Sequence, residues 1–149
     1  MKVLVQSEDF DAGAEIEALH ADPAVGAVAA FVGTVRDVNE GDRVGTLSLE
    51  HYPGMTEKAI EKIVVEAGQR WSVLGATVIH RIGELKPTDR IVLVAVSSAH
   101  RGDAFAACEF IMDFLKTRAP FWKKEVTPDG DRWVDARQSD SDAALRWKM

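Results

Sequence analysis

Residues 76–99 read ATVIHRIGELKPTDRIVLVAVSSA, and their reading decides the fold. ATVIHRIGEL (76–85) and RIVLVAVSSA (90–99) are two runs rich in β-branched residues, joined by the polar link KPTD (86–89) with a proline near its tip. Two such runs separated by a short link predict a β-hairpin. Hairpins belong to antiparallel architectures, whereas a regular βαβ repeat needs a long crossover between neighbouring strands.

Working outward, PGMTEKAIEKIVVEAGQRW (53–71) precedes the hairpin and reads as a long helix. Ala59, Ile60, Ile63, Val64 and Ala67 recur at helical spacing, with Glu57, Lys58, Glu61 and Lys62 outside. Before it come a strand TLSLEHY (46–52), a polar loop TVRDVNEGDRVG (34–45) with turn formers Asn39, Gly41 and Asp42, and a glycine-bounded apolar strand GAVAAFVG (26–33). A short helix DAGAEIEALHAD (11–22) and a strand KVLVQ (2–6) open the chain. After the hairpin, RGDAFAACEFIMDFLKTRA (101–119) reads as a second long helix. Phe105, Cys108, Ile111, Met112 and Leu115 lie on one face, and Pro120 ends it. FWKKEVT (121–127) and DRWVDAR (131–137) flank the turn signal PDG and predict a last hairpin, while the tail QSDSDAALRWKM (138–149) shows no period. Antiparallel hairpins packed with two long helices make an α+β domain. The expectation is a single domain, 1–149, with the tail 138–149 free to move.

The bulk numbers exclude several classes. With 149 residues, 46% hydrophobic and 28% charged, the composition is that of a soluble globular domain. No apolar run approaches the roughly 20 residues that span a bilayer, and the start MKVLVQSEDFDAG reads as a strand rather than a secretion signal. The one cysteine, Cys108, fits a reducing cytoplasm. A net charge of −6 argues against a general nucleic-acid binder, whose affinity comes from neutralising phosphates. An anionic ligand must therefore be met locally.

FLKTRAPFWKKE (114–125) is where the chain could do so. It holds Lys116, Arg118, Lys123 and Lys124, whereas 18 Lys and Arg in 149 residues would place about 1.4 in twelve (12 × 18/149). Lys116 follows Met112 by one helical turn, and period-two alternation puts Phe121, Lys123 and Glu125 on one strand face and Trp122, Lys124 and Val126 on the other. A helix end and the strand folding back from it can bring Lys116 and Lys123 to one cleft. Structural explanations compete: cations in a last helical turn favour the dipole, and lysines on an edge strand discourage aggregation. SSAHRGD (97–103) places His100 and Arg101 where a strand enters a helix, and free N–H groups beside a guanidinium suit an anion. Arg36 follows AAFVGTVR, where Gly33 would let a ligand approach the backbone. Other chemistries fit poorly. His20, His51, His80, His100 and Cys108 show no metal-type spacing, there is no P-loop or GxGxxG, and Cys108 reads as core rather than nucleophile. Glu50 with His51 has the chemistry of an acid/base pair, but at a strand end ordinary hydrogen bonding is the favoured reading.

FVGTVRDVNEGD, LEHYPGMTEKAI, VIHRIGEL, SSAHRGDAFAACEFIMDFLKTRAPFWKKE and GDRWVDAR together resemble the catalytic (large) subunits of molybdopterin synthase, in that family's order across most of residues 26 to 137. The resemblance implies the family's α/β-hammerhead type of α+β fold. It implies a sulfurtransferase that converts cyclic pyranopterin monophosphate into molybdopterin in molybdenum cofactor biosynthesis. No resident cofactor or metal is expected. Sulfur would arrive as a thiocarboxylate on the C-terminal Gly-Gly of a small ubiquitin-like subunit, and a homodimer would sit within a heterotetramer. Carried over by position, Lys116 and Lys123 would be catalytic, with Lys116 beside the donor's terminal carbonyl and Lys123 the leading acid/base. Arg36, His100 and Arg101 would hold phosphate and pterin, and Phe31 and Met112 would line the apolar part. Thr34, Val35, Lys124 and Glu125 would complete the substrate site, and Arg137 would reach the neighbouring subunit's site. The rival class is a non-catalytic module that binds an anionic, nucleotide-like metabolite in the same basic cleft.

Overall fold

The computed structural model describes the chain except residues 40, 41, 44, 135–137, 148 and 149, and describes residues 39, 42, 43, 138 and 139 by their main chain only. Its elements are β1 (Lys2–Gln6), α1 (Ala12–Leu19), β2 (Ala27–Thr34), β3 (Val38–Asn39), β4 (Asp42–Arg43), β5 (Thr46–His51), α2 (Met55–Arg70), β6 (Gly75–Arg81), β7 (Gly83–Leu85), β8 (Arg90–Ser98), α3 (Arg101–Leu115), β9 (Phe121–Thr127), β10 (Gly130–Val134) and α4 (Gln138–Leu145). The expected α+β class holds.

The 76–99 hairpin forms, with β6 antiparallel to β8 from Gly75↔Ser97 to His80↔Val92. It centres a four-stranded sheet of order β1-β6-β8-β2, in which only the β1–β6 pairing is parallel. Both faces of this sheet are covered, so β8 is a continuous apolar run rather than an alternating one. Val92, Val94 and Val96 pack with Ile60, Ile63, Val64 and Ala67 of α2 and with Ala107, Phe110, Ile111 and Phe114 of α3. Leu93 and Ala95 point the other way, to Phe10, Ala12 and Leu19 around α1. The buried stripe of α3 is Ala104, Ala107, Cys108, Phe110, Ile111, Phe114 and Leu115; Phe105, expected on it, is 65% exposed.

A second sheet, β10-β9-β5-β7, has its own small core of Val35, Leu47, Leu49 and Leu85. The chain passes from one sheet to the other inside what the sequence presents as one strand. Leaving β6 at Arg81, it turns at Gly83 with φ +87°, where a side chain would be strained, and β7 pairs with β5. The 34–45 loop contains a two-residue ribbon, Val38↔Arg43 and Asn39↔Asp42, with Glu40, Gly41 and Val44 outside the described residues.

Two ends differ from the sequence reading. Regular α3 stops at Leu115, and the chain tightens through turns in which Phe114 O accepts from Thr117 N (3.3 Å) and Arg118 N (2.8 Å), because the residue before Pro120 disfavours helix. The tail is docked rather than free: Ala144 is buried, the Trp147 ring lies edge-on to Trp71 (5.4 Å) and Phe110 (5.8 Å), and its Nε1 donates to Asp113 at 2.6 Å.

Candidate active site

Three elements converge on a cavity of about 480 Å³, a volume ordinary for a small-molecule site. The end of β2 and the turn after it bring Phe31, Thr34, Val35 and Arg36; α3 brings Met112 and Lys116; β9 brings Phe121, Lys123 and Glu125. Each arrives for a local reason. Met112 and Lys116 share one side of α3 because four residues make one helical turn, and Lys116 N donates to Met112 O at 3.2 Å. Lys123 and Glu125 share a face with Phe121 by strand alternation. Thr34 follows a register shift in β2 at Gly33, which re-aims the strand end, and Val35 is anchored by hydrogen bonds to Asp89 O and from Thr88 N, both 2.9 Å. Gly33 has a packing reason rather than a ligand reason: a Cβ there would meet Val92 Cγ1 at 2.9 Å.

Lys116 and Arg36 are exposed and Lys123 is half-buried, so the cavity has one basic wall beside the apolar surface of Phe31, Met112 and Ile91. Glu125, carried over as a substrate contact, is a buried carboxylate that accepts from Arg132 Nε at 3.4 Å; that pairing offsets its charge within the wall.

Three other expected site residues lie elsewhere. Lys124 points to the opposite face of β9, 3.3 Å from Asp131 and over the Trp133 ring at 5.9 Å, as alternation requires. His100 and Arg101 are exposed at the N-terminus of α3, whose 15 residues put them roughly 20 Å from Lys116 at about 1.5 Å per residue. One chain cannot bring both ends of a straight helix to one pocket. Arg137 lies outside the described residues. Arg118, the remaining cation of the cluster, pairs with Glu66 at 3.0 Å and covers the Phe114 ring at 3.8 Å, a packing role.

The residue sequence reasoning missed is His80. It lines the cavity, 7% exposed, with Nδ1 2.8 Å from Arg81 O and its ring stacked on Phe121 at 3.8 Å. Burial pushes its pKa down to about 3; the Arg81 carbonyl opposes this, and the charges of Lys123, Lys116 and His51 add to it. A polar residue on the inward side of a strand otherwise made of Ala76 and Val78 was the available signal. His51, by contrast, engages Thr56 Oγ1 at 3.3 Å beside the start of α2. Among the described residues no group of three or more His, Cys, Asp or Glu could hold a metal ion, and no helix is long and apolar enough to cross a membrane. Cys108 is buried behind β8, its thiol pushed up to about 11 by burial and then by Glu109.

The family model described as MoaE protein matches residues 5–118. The chain belongs to the MoaE protein family. It is 64% identical over 146 residues to the molybdopterin synthase catalytic subunit of Ralstonia nicotianae, covering 97% of this chain and 83% of that one. It is 59% identical over 146 residues to the protein of the same name from Escherichia coli K12, covering 98% and 97%. The solved MoaE protein from Burkholderia ambifaria superposes with a TM-score of 0.85 at 58% identity, covering 99% of this chain and 98% of that chain. The match to the MoaE family model spans every element that lines the cavity up to the end of α3, and the full-length relatives extend the likeness over β9, β10 and α4.

Proposed function

We infer that this chain is the catalytic subunit of a molybdopterin synthase and acts as a sulfurtransferase. It takes sulfur from the C-terminal thiocarboxylate of a small ubiquitin-like subunit and places it on cyclic pyranopterin monophosphate, forming the dithiolene of molybdopterin. The observation that carries this reading is the convergence of Arg36, Lys116 and Lys123 from three elements on one recess, in a chain of net charge −6. A cyclic phosphate and a thiocarboxylate are both anions, and bringing them together needs fixed cations at the point of encounter and nowhere else.

In this reading Lys116, exposed at the mouth, meets the donor's terminal carbonyl, while Lys123, deeper in, passes protons to and from the oxygens that leave. Arg36 grips the phosphate, and Phe31 with Met112 covers the fused ring. No resident cofactor is required, because the nucleophilic sulfur is imported; a cysteine packed away like Cys108 is consistent with that. His100 and Arg101 serve the phosphate from a second copy of the chain, since their own α3 holds them away from their own cavity. The assembly is therefore a homodimer that shares its two sites, with one small subunit docked at each.

Mass spectrometry tests the reading. Incubation with thiocarboxylated small subunit and cyclic pyranopterin monophosphate is expected to yield a pterin product that has gained two sulfurs. Binding of the pterin without conversion would favour the metabolite-binding module and overturn the enzymatic reading.

A further inference from the structure

His80 is the polar group in the cavity to which the sulfur-transfer reading gives no task. Its ring is held by two contacts. Nδ1 lies 2.8 Å from Arg81 O, and a carbonyl oxygen only accepts, so Nδ1 carries the proton and Nε2 keeps its lone pair. One ring face stacks on Phe121, with centroids 3.8 Å apart and planes 19° from parallel. Nε2 has no hydrogen-bond partner among the described residues, where no buried side-chain nitrogen or oxygen is left unpaired. An atom that is neither paired nor sealed off meets open space, and the open space that His80 lines is the cavity. The 7% of the residue left exposed therefore includes one hydrogen-bond acceptor, fixed in direction.

The charged or titratable groups around it are Lys123 and Glu125 from β9, Lys116 at the end of α3, Arg36 after β2, His51 from β5 and Asp140 from α4. Lys123, Glu125 and Asp140 have interactions of their own, and Lys116 and Arg36 are exposed cations suited to anions. Buried as it is, the imidazole stays neutral at physiological pH. A neutral acceptor has nothing to offer a phosphate or thiocarboxylate oxygen, which also accepts. It matches a ligand N–H.

We infer that His80 Nε2 accepts a hydrogen bond from a ring N–H of the bound pterin and makes the cavity selective for the reduced ring. The choice of ligand rests on the sulfur-transfer reading; the fixed acceptor does not. Phe121, on which the imidazole stacks, shares its strand face with Lys123, so His80 stands at the end of the cavity where the catalytic lysine acts. The part of the ligand at that end is the part that receives sulfur, the pyran fused to the pyrazine half of the pterin. The opposite edge of a pterin presents a ring N–H beside a 2-amino group, and two parallel donors suit a carboxylate rather than one imidazole nitrogen. A tetrahydropterin carries N–H on its pyrazine nitrogens, whereas the oxidised aromatic ring has bare acceptors there. Two acceptors facing each other leave both unpaired, so the oxidised ring is rejected.

Anaerobic equilibrium dialysis tests this on the full-length protein alone, with cyclic pyranopterin monophosphate and its aromatic oxidised form as probes. The wild type is expected to bind the reduced form about tenfold or more tightly. His80→Phe keeps the stack without an acceptor and should lose that preference, through weaker binding of the reduced form alone. His80→Gln supplies an amide oxygen and should retain part of it. If His80→Phe does not fold, His80→Leu, equally without an acceptor, takes its place. A preference unchanged in the variant that lacks an acceptor overturns the inference. Equal binding of both forms by the wild type overturns it too, while leaving the sulfur-transfer reading intact. Binding of neither form by the wild type would sink both.

Discussion

The two lysines and the histidine between β6 and β9 differ in how visible they are from sequence, and the difference is physical. Alternation along FWKKEVT is local, so it correctly separates Phe121, Lys123 and Glu125 from Trp122, Lys124 and Val126. The burial of His80 in the cavity wall depends on a ring contributed by a distant strand, which no local period reveals. Replacement of Lys116 or Lys123 by Ala is expected to lower product formation by about tenfold or more while the fold persists, since both side chains reach a cavity rather than the core. Near-normal turnover by both variants with loaded small subunit would remove them from the mechanism. Cys108→Ser should keep sulfur transfer; a thiol held at about 11, with Sγ 3.6 Å from Val94 O, is not a nucleophile at neutral pH. Loss of transfer without loss of stability would contradict an imported sulfur. His80 also sets a pH dependence. Its folded pKa, about 3, lies below the unfolded 6.5, so between those values the unfolded chain binds a proton that the native state refuses. Its contribution is complete above about pH 6.5 and declines as pH falls towards 3, by at most about 1.4 kcal/mol per pH unit. Urea midpoints at pH 7.5 and 5 should therefore differ more for the wild type than for His80→Asn, and equal differences would count against this reading.

Among elements, those with strong periods were legible: β1 and β9 have the bounds read from sequence, and the long helices differ only at their ends. The failures share a cause. The switch of sheets at Gly83 depends on β7 finding β5, and α4 depends on a surface supplied by α2 and α3, so each is created by packing rather than by its own pattern. Among its described side chains QSDSDAAL offers a single buried residue, Ala144, too little for a helical stripe. The docking of the tail is instead concentrated in the two residues just past α4. Arg146 bridges Glu109 and Asp113, and Trp147 fills the corner between Trp71 and Phe110. Trp147→Ala should thus cost about 2 to 4 kcal/mol, visible as a lower urea midpoint and as faster proteolysis near the C-terminus. An unchanged midpoint would mean that the aromatic corner adds nothing to the fold.

For the whole molecule, the sequence showed that positive charge is concentrated but not how many chains concentrate it. Joining Arg101 and Lys116 into one site overlooked the roughly 20 Å that fifteen helical residues impose. The site proposed above, completed by a second copy, carries a distinctive prediction. Arg101→Ala and Lys123→Ala homodimers should each be impaired, the first mainly in apparent substrate affinity. Subunits of the two kinds mixed in one dimer should regain about half of wild-type activity, because one of the two shared sites is then intact. Mixed dimers no better than either parent would place both residues in the service of the same chain's cavity or leave Arg101 without a role.

The passage of the chain between sheets at Gly83 bears on how the protein is made. Each sheet takes strands from both early and late parts of the sequence, and β5, already paired with β7, gains its other neighbour β9 only after residue 121 has been synthesised. Such non-local pairing folds slowly and cannot be completed in instalments on the ribosome. The basic recess, walled by both sheets and by the helix between them, exists only once β9 has emerged and met β5, so a shorter nascent fragment has no means of seizing the reactive pterin.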